Sequence, residues 1–294
     1  GASVELSAGG AVTMDDGVAT TAGTNLRYEA GGVLGIGALS AVNVSLIAGS
    51  IVDSGSGDTD VTATTLRLVT TGTAAGEGAG TGAAHLQIAV ATLAASVAGT
   101  GNGGLYLDEA NAIVLGTVDA ITVDRLAADG SSSVVSDLGM SGVTSGANLV
   151  LGSAAGSVTV LNPLTANGNI LLEANSGALG ITAAISSAGG SISLSSLNSI
   201  TQNANILTIG GGSIDLRSNA GSVAMADGTT ASAVNGNIRY VAATTITLGA
   251  ISTGADVSLS ASSISDSGSV DVDVSANQLR LVTTGTQAGE GAGT

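Results

Sequence analysis

The chain has 294 residues, a net charge of −16, and six basic residues that are all Arg. An acidic balance without Lys argues against nucleic acid and against insertion into or docking on anionic membranes, since these need clustered cations or a long apolar span. With no Trp and no Phe, the aromatics being Tyr28, Tyr106 and Tyr240, it also lacks the large rings around which globular cores pack.

Ala, Val, Leu and Ile supply nearly all of the apolar 44 %. They suit thin layers of small and β-branched side chains. Charged residues are only 10 % of the chain, too few for disorder by self-repulsion. There is no Cys, which leaves the compartment open.

The first recognisable element is an apolar–x–apolar triplet at Val4. It returns at Leu26, Val44, Leu66, Leu86 and Leu105, then at Leu149, Ile170, Ile192, Ile214, Ile238, Val257 and Leu279. The segment from Ile121 to Leu126 fits poorly. The spacing averages about 21 residues, which makes about fourteen coils. Most middle residues are polar, among them Glu5, Arg27, Ser45, Arg67, Gln87, Tyr106, Asp215, Arg239, Ser258 and Arg280. Period-two alternation turns these outward and their neighbours inward. Weaker segments such as ITAAIS at Ile181 lie between triplets, so each step reads as two or three short strands joined by turns.

Such a coil cannot bury its own apolar face and must stack on neighbours through parallel pairing. The expected fold is all-β, a right-handed parallel β-helix running as a single continuous solenoid over residues 1–294. A β-sandwich would show regularly placed Asn-Gly or Asp-Gly hairpin turns, which this sequence lacks.

A longer repeat encloses the short one. LRLVTTGTAAGEGAGT at Leu66 returns as LRLVTTGTQAGEGAGT at Leu279, 213 residues later. MDDG at Met14 answers MADG at Met225, and DSGSGDTDV at Asp53 answers DSGSVDVDV at Asp266. One long unit thus occupies 66–278 and a second starts at 279. Neither end reads as a polar cap, so the expectation is a segment of a longer repetitive chain.

Chemistry-bearing residues are sparse. His85 is the only histidine, which excludes multi-histidine zinc clusters and Cys–His nucleophiles. Asp108 and Glu109 beside Tyr106 form the densest acidic and aromatic spot, the one place where a carboxylate pair could serve a polysaccharide lyase or hydrolase. Two carboxylates adjacent in a turn usually point apart, however, and a solvated corner accounts for the same residues. Asp53, Asp58 and Asp60, with Asp266, Asp271 and Asp273 in the second copy, sit in Gly-rich turns whose oxygens suit Ca²⁺. Asx-turn chemistry accounts for the same residues. AGEGAG at Ala75 and Ala288 lacks the Lys of a phosphate loop.

The run from Gly168 to Met225, GNILLEANSGALGITAAISSAGGSISLSSLNSITQNANILTIGGGSIDLRSNAGSVAM, resembles filamentous haemagglutinin-like exoproteins of Gram-negative bacteria. The resemblance rests on the style of repetition over nearly the whole chain. It implies a right-handed β-helix exported across the bacterial outer membrane to the cell surface, in a filament, sheath or adhesin without catalysis. Its partners would be neighbouring repeats or copies of itself, and glycans or proteins of a host, a neighbouring cell or the matrix. A β-helical polysaccharide-cleaving enzyme or a glycan-binding module is the alternative.

Overall fold

A computed structural model describes residues 2–55, 57–268, 272–286 and 291–292. They hold β-strands and no helix, with parallel strands stacked as a β-solenoid of about 13 turns of about 22 residues. The chain forms two compact units, residues 1–151 and 152–294.

The second unit follows the alternation closely, with three short strands to each coil. One column of strands begins at Ile170, Ile192, Ile214, Ile238, Val257 and Leu279, each residue paired with the next. A second column pairs Leu179, Ile200, Val223, Ile246 and Ile264. A third pairs Ile185, Ile206, Ala231, Ile251 and Val274. Burial runs strictly in and out, as in Ile170–Ala174 and Ile192–Ser196. Each apolar side chain withdrawn from water contributes roughly 1.5–3 kcal/mol, and it does so only because another coil covers it. Tyr240 lies wholly inside and donates its hydroxyl proton to Gln202 Oε1 at 2.7 Å. Burial raises its pKa.

The corners use two devices. Ser187, Thr208 and Thr253 turn inward and donate to the carbonyls of Gly168, Gly190 and Gly236 at 2.7, 2.7 and 2.6 Å. Buried hydroxyls are thereby satisfied where backbone would otherwise lose its partners. The same corner demands glycine: a Cβ on Gly212 would lie 2.0 Å from the Gly190 carbonyl oxygen. No side chain fits against backbone there.

The first unit starts just as regularly, pairing Val4 with Leu26, Leu26 with Val44 and Val44 with Leu66. It then departs from the expected spacing. Leu66 pairs with Leu93, not with Leu86, because residues 71–85 make an additional Gly-rich turn, in which the buried Ala79 bridges Ile51 and Leu105. Leu86 instead pairs with Leu107, within a strand running from Leu86 to Val97. One coil further, Leu93 pairs with Leu115 and Ala95 with Val143. Residues 117–141 between those partners leave the coil altogether. They form an antiparallel excursion in which Ile121–Leu126 pairs with Ser132–Asp137. Here lies the segment that fits the triplet pattern poorly: it is a hairpin inserted into a coil.

Gly212→Ala is expected to cost about 1–3 kcal/mol through overpacking, whereas Gly10→Ala, with open space around its Cβ, should cost almost nothing. Denaturant midpoints of the two variants compare them directly.

Candidate functional site

Polar side chains gather in two places in the first unit, one a shallow concavity and the other the row of outward triplet residues.

The concavity is lined by Asp53, Gly82, His85, Gln87 and Asp108. His85 Nδ1 and Asp108 Oδ1 lie 3.0 Å apart, and the His85 ring packs near Tyr106 with centroids 5.7 Å apart. Tyr106 is buried rather than outward; its hydroxyl accepts a bond from Asn148 Nδ2 at 3.2 Å. Asp108 is exposed at the rim while Glu109 is buried on the other side of the strand. Glu109 accepts backbone N–H bonds from Val90 at 2.9 Å and from Asn111 at 2.8 Å. Burial raises its pKa, against the pull of those bonds. These two carboxyl groups therefore do not face one another across a cleft.

Asp60 lies beneath the concavity with no exposed surface. Its Oδ2 accepts the Gln87 N–H at 2.7 Å, and the charges of Asp53 and Asp58 act on it. Burial pushes its pKa up to about 8, and the charges of Asp53 and Asp58 add to the push. At neutral pH Asp60 is thus mostly a neutral acid. Asp58 and Asp60 also carry buried oxygens without a hydrogen-bond partner.

Of the six candidate Ca²⁺ ligands, the structure brings Asp53, Asp58 and Asp60 near one another. Asp271 lies outside the described residues. Asp53 and Asp266 do the same local job in their two copies, each accepting an N–H two residues on, from Gly55 and Gly268, at 2.7 Å. This is Asx-turn geometry. Among the described residues no group of three or more His, Asp or Glu side chains has the arrangement of a metal cage.

The outward row consists of Glu5, Arg27, Ser45 and Arg67, each paired with the next in adjoining strands. Alternation places these side chains outside the coil, yet Arg27 is only 5 % exposed and Ser45 is buried. The cover is the 121–137 hairpin. Asp137, itself 6 % exposed, receives Arg27 Nε on both carboxylate oxygens at 3.0 Å and the Ser45 hydroxyl at 2.6 Å. Arg67 Nε donates to the Leu138 carbonyl at 3.0 Å, and Asn25 Nδ2 to the Thr122 carbonyl at 2.7 Å. Arg125 of the hairpin pairs with Glu5, and Arg27 also reaches Glu29 at 2.9 Å.

Burial alone would lower the Arg27 pKa, but the bonds and charges of Glu29 and Asp137 outweigh it and hold the group firmly cationic. Arg27 in turn holds Glu29 below the usual carboxylate range. Arg67, with no direct ion pair, is lowered by burial. Apolar contacts finish the clasp at the hairpin base, where Val118 and Ile121 pack with Ala94 and Met140.

Sequence reasoning gave Arg27 and Arg67 as solvated positions and assigned Asp137 no role. One signal was present: Asp129-Gly130 stands between two β-prone runs, and Gly130 takes φ +81° there. Comparison with protein-family models, curated proteins and solved structures gives no match for this chain.

Two outcomes follow from this geometry. Asp137→Ala removes one partner of a buried pair and should cost about 3–5 kcal/mol, read as faster hydrogen exchange across 121–137. Asp60 keeps its proton in the folded state up to about pH 8, while the unfolded group loses it near 3.8. Its stabilising share is therefore full below pH 3.8 and is lost as pH rises towards 8, at up to about 1.4 kcal/mol per pH unit. Asp60→Asn, whose amide oxygen can still accept from Gln87, should flatten that slope in pH-dependent unfolding, leaving the smaller share of Glu109.

Proposed function

We propose that this chain is a segment of an extracellular structural or adhesive fibre, assembled by stacking of β-coils and carrying no catalysis. The observation that supports it most is the coil-to-coil register: in the second unit each of three columns sets one apolar residue upon the next over four or more pairings. A stack of this kind grows by adding coils and needs no central cavity. Its outward registers carry many Ser and Thr side chains, such as Ser232, Ser252 and Ser275 in succession, suited to contact with copies of itself or with glycans and proteins of another cell or matrix.

The style of repetition adds export across a bacterial outer membrane to the cell surface. The polysaccharide-cleaving alternative gains little, because Asp108 and Glu109 diverge and His85 is engaged with Asp108. Its glycan-binding variant rests on no aromatic platform, as Tyr28, Tyr106 and Tyr240 are all buried.

Electron microscopy of the native protein from its source should show continuous filaments or a sheath, removed by protease applied to intact cells. Compact discrete particles, or a protein protected inside the cells, would overturn this reading. Cleavage of any member of a glycan panel that is lost on Asp108→Ala would restore the enzymatic one.

A further inference from the structure

We propose that the outward row Asp215–Arg239–Ser258–Arg280 is a docking site for an aspartate-bearing β-hairpin of the Ile121–Asp137 type, supplied by another repeat of this sequence. The row belongs to the second unit. Its members pair in the same order as Glu5, Arg27, Ser45 and Arg67: Asp215 with Arg239, Arg239 with Ser258, Ser258 with Arg280. Carboxylate, guanidinium, hydroxyl and guanidinium thus recur on four successive strands.

The internal geometry is repeated as well. Arg27 Nη1 lies 3.2 Å from Glu5, and Arg239 Nη1 lies 2.9 Å from Asp215. Arg67 Nη1 donates to Ser45 Oγ at 3.4 Å, and Arg280 Nη1 donates to Ser258 Oγ at the same distance.

What differs is the cover. In the first unit Arg27 Nε, the Ser45 hydroxyl and Arg67 Nε all point their protons at Asp137 and Leu138 of the hairpin. Among the described residues no carboxylate or carbonyl takes that place over Arg239, Ser258 and Arg280. Arg239 is 49 % exposed where Arg27 is 5 % exposed. The uncovered row lines a groove with Asn237, Asp256 and Gln278 beside it. Asn237 stands where Asn25 grips the hairpin backbone.

Charge favours the same occupant. Five of the chain's six Arg lie on the strands of these two rows, and the sixth, Arg125, is on the hairpin. Residues 117–141 carry four Asp against that one Arg, so the hairpin is anionic and the two guanidinium groups of the open row attract it. The chain's own hairpin is already engaged on its own row, so the occupant is a separate one. The inference rests on the proposed role as a repetitive assembly only for the source of that hairpin; the docking chemistry stands or falls by itself.

The test adds a hairpin in trans to the full chain. The probe is a peptide of residues 117–141 with Thr117→Cys and Ser141→Cys joined by a disulfide, since these residues face one another across the base. Its fold is checked by NMR beforehand, because an open hairpin is only marginally stable in water. A photoreactive group at Ser136 reports where it lands.

The peptide should bind the wild-type chain, cross-link to 256–258, and bind more weakly as salt rises. Arg239→Ala and Arg280→Ala, both at exposed positions, should each weaken binding tenfold or more, as should Asp137→Asn in the peptide. No binding up to about 1 mM, equal binding to the Arg239→Ala chain, or cross-linking to 43–45 would overturn the proposal. Filaments absent from the source would count against the fibre reading while leaving a positive peptide result intact.

Discussion

A coil of about 22 residues presents only two or three inward side chains on each of its faces. It therefore has no interior of its own. Leu194 and Ile206 are each covered by an apolar residue of the coil before and of the coil after, through strands paired in parallel. That dependence explains the composition. A residue acceptable at one level of a column must fit its near-copies above and below, which favours Ile, Leu and Val over rings. It also explains the corners: backbone approaches backbone so closely at Gly190, Gly212 and Gly236 that a single methyl group would collide.

Stacking specifies only one side of each strand. Outward residues are free to be polar, and in the second unit Ser193 and Asp215 are partly exposed and Arg239 is exposed. The first unit uses that freedom differently. A hairpin inserted between Leu115 and Val143 lies across strands more than 50 residues earlier in sequence and buries Arg27 and the Ser45 hydroxyl beneath it. Withdrawing Arg27 and Asp137 from water costs several kcal/mol per ion, and their attraction offsets this only because the remaining donors and acceptors are also met by Ser45, Glu5 and Glu29. The clasp is best understood as a fixer of position: only one placement of the hairpin satisfies all of these groups together.

These two levels differ in how legible they were. The inward columns were readable because alternation is local and repetition confirms it; Ile170 through Leu279 stand where the triplets put them. The passage from Leu66 to Leu93 was not, because Leu86, Gln87 and Ile88 form an equally good triplet that pairs with a different neighbour. Alternation says which residues face in, and nothing about which coil they meet. The burial of Arg27 was less legible still. It depends on Asp137, 110 residues away, and a contact at that separation leaves no period in the sequence. At the Asp-rich turns, recurrence alone could not tell a ligand set from turn chemistry. Asp53 and Asp266 repeat a backbone bond, while the burial that makes Asp60 a neutral acid prevails against the N–H bond from Gln87 on the next coil.

The duplication carries the carboxylate–Arg–Ser–Arg row into both units, and stability accounts for it in only one of them. Under the hairpin, Arg27 and Ser45 are buried and both donate to Asp137, so losing one member leaves a charge stranded. In the open, the Arg239–Asp215 pair joins side chains that are 49 % and 40 % exposed, where an ion pair contributes between nothing and about 1 kcal/mol. Solvent would serve those groups nearly as well, and a row of Ser and Thr would stack as readily. What the open row offers that solvent and hydroxyls do not is direction: two guanidinium edges and a hydroxyl fixed at strand spacing, aimed away from the coil. In the first unit that arrangement is what grips a carboxylate from outside the stack.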